Sequence, residues 1–291
     1  KNMNWLMCKV IGLKLKKTFG GHLSFFGIGG AKLDIEVERF LLKAGFPYAV
    51  GYGLTETSPL LSFTVGRSRF PGSIGVPVRN VELRLDNVNP ETGEGEIVAK
   101  GANVMLGYYK DPERTRKAFT KDGWFRTNDL ACLDEKGRYF IKGRLSNMIL
   151  GASGENIYPE EIETLLSKVP EIAESMVYGK EVAGEKELII TARVIPNYEE
   201  IENLHAAERK EPSAAFTEEE IYKIIWNQIK QVNRKLSNYK CIRKLEIKSG
   251  QFAKTSTMKI KRFAELASDD AKEMPAVENA APAAAGLRAR Q

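Results

Sequence analysis

The sequence predicts a mixed α/β and α+β, multidomain fold, and three observations carry that reading. An apolar run at 23–28 ends at Gly29-Gly30 and leads into a capped helix, the grammar of a large α/β domain. From 72 to 144 the pattern changes to short alternating strands and turns, read as a small β-barrel-like subdomain closing that domain. Beyond 144, helical stripes and strands alternate as a small C-terminal α+β domain. The expected boundaries are 1–71 for the end of a large N-terminal α/β domain and 72–144 for its β-rich subdomain. The small domain takes 145–267, and 268–291 is expected to be a disordered tail.

Each element follows from a local signal. Residues 1–19 mix Trp5, Leu6, Val10, Ile11, Leu13 and Leu15 with five lysines, at 1, 9, 14, 16 and 17. That pattern fits a membrane-surface helix or a helix severed from a larger domain with one solvated face; the second reading is preferred. Asp34 caps a helix with Val37, Phe40, Leu41 and Ala44 on one face, Gly45 ends it and Pro47 follows. A strand through Ala49 and Val50 runs into Tyr52. Val81, Leu83 and Leu85 alternate with polar residues, and turn chemistry at 89–95 precedes a strand through Glu96-Ile97-Val98.

In the small domain Pro159 suits the first position of a helix, Glu160 and Glu161 its first turn, and Ile162, Leu165, Leu166 and Val169 its apolar stripe. Residues 175–178 and 188–195 read as strands and 198–215 as a polar loop or insertion. Thr217 and Glu220 form a capping box ahead of a stripe of Ile221, Ile224, Ile225, Ile229, Val232 and Leu236. Ile242, Leu245 and Ile247 alternate as a last strand. From Ser268 onward, Ala, Pro and scattered charge cannot bury enough surface to pack.

Composition removes several classes of chemistry. The 291 residues are 43% apolar and carry a formal charge of +6 spread along the chain, which favours anionic ligands without forming a nucleic-acid stripe. No apolar run reaches membrane-spanning length. Cys8, Cys132 and Cys241 are an odd, scattered set, as expected of reduced thiols in a cytoplasmic protein. With only His22 and His205, neither at metal-ligand spacing, zinc sites and Ser-His-Asp hydrolysis are poorly supported. Chemistry must run on Lys, Arg, carboxylates, backbone amides or a recruited cation, which suits phosphoryl or nucleotidyl transfer.

Four segments hold the candidates. Tyr52-Gly53-Leu54-Thr55-Glu56 follows a strand, where α/β sheets place ligands. Its aromatic can stack on a base, its hydroxyl can donate to phosphate and its carboxylate can hold Mg2+. Extended runs on either side of Asp134-Glu135-Lys136-Gly137 predict a hairpin that brings Asp129 near Lys142 and Arg144. A carboxylate beside a guanidinium can grip a ribose diol or be a plain cross-strand ion pair; spacing alone favours the ion pair. Gly143-Arg144-Leu145-Ser146-Asn147 then joins the two domains, and Lys259 lies in the basic loop from Ala253 to Arg262.

Tyr52-Gly53-Leu54-Thr55-Glu56-Thr57, Gly123-Trp124-Phe125-Arg126-Thr127-Asn128-Asp129, Gly143-Arg144-Leu145-Ser146-Asn147 and the loop from Ala253 to Arg262, in this order, resemble the adenylate-forming (AMP-binding) superfamily, most closely its long-chain fatty acyl-CoA synthetases, over residues from about Gly29 to Arg262. The resemblance implies ATP-dependent activation of a fatty acid to acyl-AMP and then acyl-CoA, with ATP, Mg2+ and coenzyme A as cofactor and co-substrates. It implies that Tyr52 and Gly53, with Gly30 and Ala31 upstream, bind adenine, that Thr55 meets the α-phosphate, and that Glu56 holds the metal. Asp129 and Arg144 would bind ribose, Ser146 would be the hinge of the small lid domain, and Lys259 the catalytic lysine. Ser153, Gly154 and Glu155 would line the coenzyme A tunnel.

Departures from the family pattern are Asn128 where glycine is common, Ser146 at the hinge, and Ala253 and Met258 where proline and glycine are usual in the lysine loop. The family's Ser/Thr/Gly-rich phosphate loop has no counterpart in 1–291. The chain, which opens at Lys1 without Met, is therefore expected to be the C-terminal part of a longer enzyme, inactive in isolation. The implied partners are a fatty acid and coenzyme A, with no nucleic acid, room for peripheral membrane contact, and the oligomeric state left open. Alternatives are ligation of the acyl group to a carrier protein, or a non-catalytic nucleotide- or partner-binding module.

Overall fold

The computed structural model describes residues 5–64, 66, 69–151, 154–182, 187–206, 215–255 and 258–273. The chain divides into two compact units, Lys1–Lys248 and Ser249–Gln291.

In the first unit, helix α1 (Trp5–Thr18) packs against α2 (Ile35–Ala44). Gly12 permits this crossing: a Cβ there would lie 2.4 Å from the Ala44 carbonyl oxygen. Cys8 and Gly12 are buried, while Leu6, Met7, Val10 and Leu13 are exposed. Asp34 caps α2 as its position predicts, its Oδ1 accepting from the amides of Glu36 (2.7 Å) and Val37 (3.1 Å); Gly45 ends the helix at φ 70°.

Strands β1 (Phe26–Ile28), β2 (Tyr48–Gly53), β3 (Leu60–Phe63) and β4 (Val76–Pro77) form a sheet in that order, with β1–β2 parallel and the other pairs antiparallel. The first strand is shorter than the apolar run at 23–28. Phe26 at its start packs in an aromatic cluster, 5.6 Å from Phe46 and 5.2 Å from Phe19.

Strands β5 (Val81–Asp86), β6 (Gly95–Gly101), β7 (Phe125–Leu133) and β8 (Tyr139–Arg144) make an antiparallel meander. Among the described residues β5 and β8 do not pair, so the expected barrel-like subdomain is an open sheet. Closure needs the two edge strands to meet, which alternation along each strand does not specify. A short helix α3 (Pro112–Lys117), capped by Asp111, interrupts this region where only strands and turns were expected.

The α+β part follows. A two-stranded ribbon, β9 (Ile149–Leu150) with β10 (Asn156–Ile157), leads into α4 (Pro159–Leu166). Strands β11 (Ile172–Lys180), β12 (Ile189–Pro196) and β13 (Lys244–Ile247) form a sheet, antiparallel then parallel. Its core packs Val177, Ala192, Val194 and Leu245 against Ile162 and Leu166 of α4 and Ile221, Ile225 and Ile229 of α6 (Glu218–Asn233). The capping box of Thr217 and Glu220 forms. Part of the expected polar loop is a helix, α5 (Tyr198–His205): Asn197 caps it and Ile201 seals it to the core at 1% exposure.

The second unit holds a tight turn and α7 (Arg262–Glu273). That helix runs past Ser268, where the tail was expected to begin; Glu265, Leu266, Ala271 and Lys272 are good helix formers. Residues 274–291 lie outside those described. No described helix is long and apolar enough to cross a membrane.

Candidate functional site

Asp129 is the centre of the site, and a bulge puts it there. On β6, Glu96 faces Leu130 and Val98 faces Arg126, so Ile97 alone lies opposite Thr127, Asn128 and Asp129. Extra residues on one strand bend it and re-aim its side chains. The bulge closes through Asn128, whose φ of 62° is left-handed. Asparagine is one of the few non-glycine residues at ease there, and this explains why glycine is the common family choice. Thr127 supports the bend, donating to the Ile97 carbonyl at 2.7 Å and accepting from the Asp129 amide at 3.2 Å.

The predicted hairpin forms with Asp129 opposite Arg144. Arg144 Nε lies 2.9 Å from Asp129 Oδ1, and the Tyr52 hydroxyl donates to Oδ2 at 2.8 Å. Asp129 is 5% exposed and Arg144 much more open, so the acid is fixed while the guanidinium faces outward. Burial, and then the Asp129 charge, push the Tyr52 phenol well above its ordinary range. Tyr52 therefore stays a donor. Lys142, the other cation expected near Asp129, lies instead 3.8 Å from Glu94.

Thr55 and Glu56 sit in a 3-10 turn at the end of β2. Gly53 is required before it, because a Cβ would overlap the Pro59 carbonyl oxygen at 1.6 Å. Glu56 is held from 105–108: the Met105 amide donates to its carbonyl at 2.8 Å and the Tyr108 hydroxyl to its Oε1 at 3.0 Å. Among the described residues no three His, Cys, Asp or Glu side chains cluster as a metal cage. A single carboxylate fits Mg2+, which usually takes one or two carboxylates and completes its shell with phosphate and water.

Gly30 adopts φ 84° in the exposed turn after β1, beside Ala31. Ser146 lies in the 3-10 turn Leu145–Asn147 and accepts from the Asn128 side chain at 2.9 Å. Gly154 and Glu155 form the β9–β10 turn, with the Gly151 amide donating to the Glu155 carbonyl at 2.8 Å; Ser153 lies outside the described residues. Lys259 belongs to the second unit. There Lys254 bridges Ile260, and the Thr255 amide donates to the Lys259 carbonyl at 2.8 Å, so the lysine is exposed on a short hairpin.

Sequence reasoning missed Tyr108 and Thr127. The signal for the first was present: Asp111-Pro112 is a helix start, and it fixes the loop that carries Tyr108.

With this geometry in place, comparison with known proteins is decisive. The family model for AMP-binding enzymes matches residues 4–109. A long-chain-fatty-acid–CoA ligase of Mycobacterium bovis is 31% identical over 87% of this chain and 42% of its own length. The chain belongs to the adenylate-forming, AMP-binding superfamily. A chloroplastic long-chain-fatty-acid–acyl-carrier-protein ligase of Arabidopsis thaliana is 32% identical over 76% of this chain and 32% of its own length. The chain thus spans less than half the length of these two relatives. ATP-bound MatB from Rhodopseudomonas palustris shares the fold with a TM-score of 0.62 and 28% identity, over 87% of this chain and 46% of that one. The matched AMP-binding segment contains Tyr52, Thr55, Glu56 and Tyr108.

Proposed function

We propose that this chain carries the nucleotide-sugar site and lid of an AMP-forming fatty acid ligase that uses ATP and transfers the acyl group to coenzyme A. The observation that carries the reading is the Asp129 carboxylate, buried and oriented by Tyr52 and Arg144. A fixed acceptor beside an open guanidinium can take both hydroxyls of a ribose. The Tyr52 ring, buried beside it, offers an edge to adenine, with Gly30, Ala31 and Gly53 leaving backbone room.

In this reading Thr55 meets the α-phosphate and Glu56 holds Mg2+, which when bound supplies neutralising charge to the phosphates. The attacking fatty carboxylate is already an anion and needs no base; it needs screening. Lys259 supplies that at the α-phosphate, where placed donors are worth about 10² to 10³ in rate. Residues 145–267 serve as the lid, turning at Ser146 so that Lys259 withdraws, and Gly154 and Glu155 let the pantetheine arm pass. The charge demanded by the first step would obstruct the thiol in the second, which gives the swing its purpose.

Calorimetric titration with AMP tests the central claim: the wild-type chain binds and Asp129→Ala does not. Equal affinity for both would remove the ribose assignment. Relatives of both kinds leave a second acceptor open, the thiol of an acyl carrier protein. Offering coenzyme A and carrier protein side by side with supplied acyl-AMP decides between them.

A further inference from the structure

We propose that Tyr108 is a positioning residue for the metal-binding carboxylate, orienting Glu56 so that one oxygen is committed to the protein and the other is presented to a divalent cation. The inference rests on the reading of Glu56 as the Mg2+ ligand given above, and goes beyond it by naming what aims that ligand.

Glu56 has few restraints of its own. It lies in a single 3-10 turn whose cap, Ser58, is left-handed at φ 54°, and its side chain is half-buried. The Tyr108 hydroxyl takes Oε1 at 3.0 Å, and among the described residues Oε2 accepts no hydrogen bond. Without Tyr108 the carboxylate would be free to rotate.

Tyr108 is itself clamped on three sides. Its amide donates to Thr115 Oγ1 at 2.8 Å, and the Arg114 guanidinium stacks 4.1 Å from its ring centre. Gly107 before it adopts φ 153°, and a Cβ there would meet Thr115 Cγ2 at 2.6 Å. Thr115 donates in turn to the Asp111 carbonyl at 2.8 Å, and Asp111 Oδ1 caps α3 through the Arg114 amide at 2.9 Å. A whole short helix is thus folded around one phenol whose hydroxyl reaches one carboxylate 52 residues away.

A phenol hydroxyl donates and a carboxylate accepts, so the pair is chemically complementary. Hydrogen-bond partners that orient metal ligands are typically worth about 10- to 100-fold in metal affinity.

The test is Tyr108→Phe, which keeps the ring and the Arg114 contact and deletes only the hydroxyl. Mn2+ affinity of the chain with ATP bound is measured by electron paramagnetic resonance, and metal-free AMP affinity by calorimetry. The expected result is a loss of Mn2+ affinity of roughly tenfold, with metal-free AMP affinity unchanged and Glu56→Gln weaker still for the metal. Unchanged Mn2+ affinity in the phenylalanine variant overturns the inference alone, as does a parallel loss of AMP affinity without metal. A wild-type chain that binds no nucleotide, or a Glu56→Gln variant that holds Mn2+ normally, overturns the site reading and this inference together.

Discussion

The side-chain amide of Asn128 donates to the hydroxyl of Ser146 at 2.9 Å, tying the bulge of β7 directly to the turn where the chain leaves β8. The residue that replaces the usual glycine therefore does two things: it tolerates the left-handed backbone and it restrains the proposed hinge. Replacement separates them. Asn128→Gly keeps the conformation and loses the tether, so the Met148 amide, bonded to the Arg144 carbonyl at 3.1 Å, should exchange faster with solvent. Asn128→Ala should in addition destabilise the fold by about 1 kcal/mol through left-handed strain. Urea denaturation showing the alanine variant more stable than the glycine one would contradict this.

What was legible in the sequence was local. The Asp129–Arg144 pairing could be read because a four-residue turn sits between two alternating runs, and a hairpin of that kind fixes which residues face each other. The caps at Asp34 and Thr217 were legible for the same reason. Helix α5 was not, because Ile201 is its one buried residue and a single apolar position shows no period. The open edge of the β-sheet was equally invisible, since it depends on which strands fail to meet. Tyr108 was missed because its partner, Glu56, is remote in sequence; only the fold brings them together.

Gly53 offers a direct test of the turn that presents Thr55 and Glu56. Its φ is unexceptional, so the demand is one of space: an added Cβ would lie 1.6 Å from Pro59 O and 2.6 Å from Pro59 C, both backbone atoms that cannot rotate away. Gly53→Ala should lower unfolding free energy by about 3 kcal/mol, the upper range for overpacking. A variant within experimental error of wild type in chemical denaturation would show that β2 and β3 separate more easily than their register implies.

Met258 makes the opposite case. It adopts φ 62° while 70% exposed, one residue before Lys259, at the place where the family usually has glycine. A flexible unbranched side chain in the left-handed region is strained and gains no packing in return. Met258→Gly should relieve about 1 kcal/mol of that strain, partly offset by glycine's greater chain entropy. The expected readout is slower amide exchange at Thr255 and Lys259, whose hydrogen bonds close the hairpin. Faster exchange in the glycine variant would show that chain entropy outweighs strain there.

The strongest pH dependence should come from Glu246. It stands on β13 opposite Arg193 of β12, with the Tyr178 hydroxyl at 2.6 Å, Arg193 Nη2 at 2.8 Å and Lys180 Nζ at 3.0 Å. Burial, the largest single influence, would raise its pKa, but the Tyr178, Arg193 and Lys180 hydrogen bonds together hold it down to about 2 from an ordinary 4.5. A folded-state value below the unfolded one stabilises the fold above the unfolded value, and that stability is lost as pH falls through the folded one. The contribution should therefore be complete above pH 5 and fade between about 5 and 2. Allowing for solvent reaching the partly open carboxylate, it amounts to about 2 kcal/mol. Glu246→Gln should then be less stable than wild type by about that much at pH 7, and the two curves should converge as the pH approaches 2.5, where the native glutamate is itself becoming neutral. A stability gap that stays constant from pH 7 to pH 2.5 would mean that the network holds Glu246 by shape and not by charge.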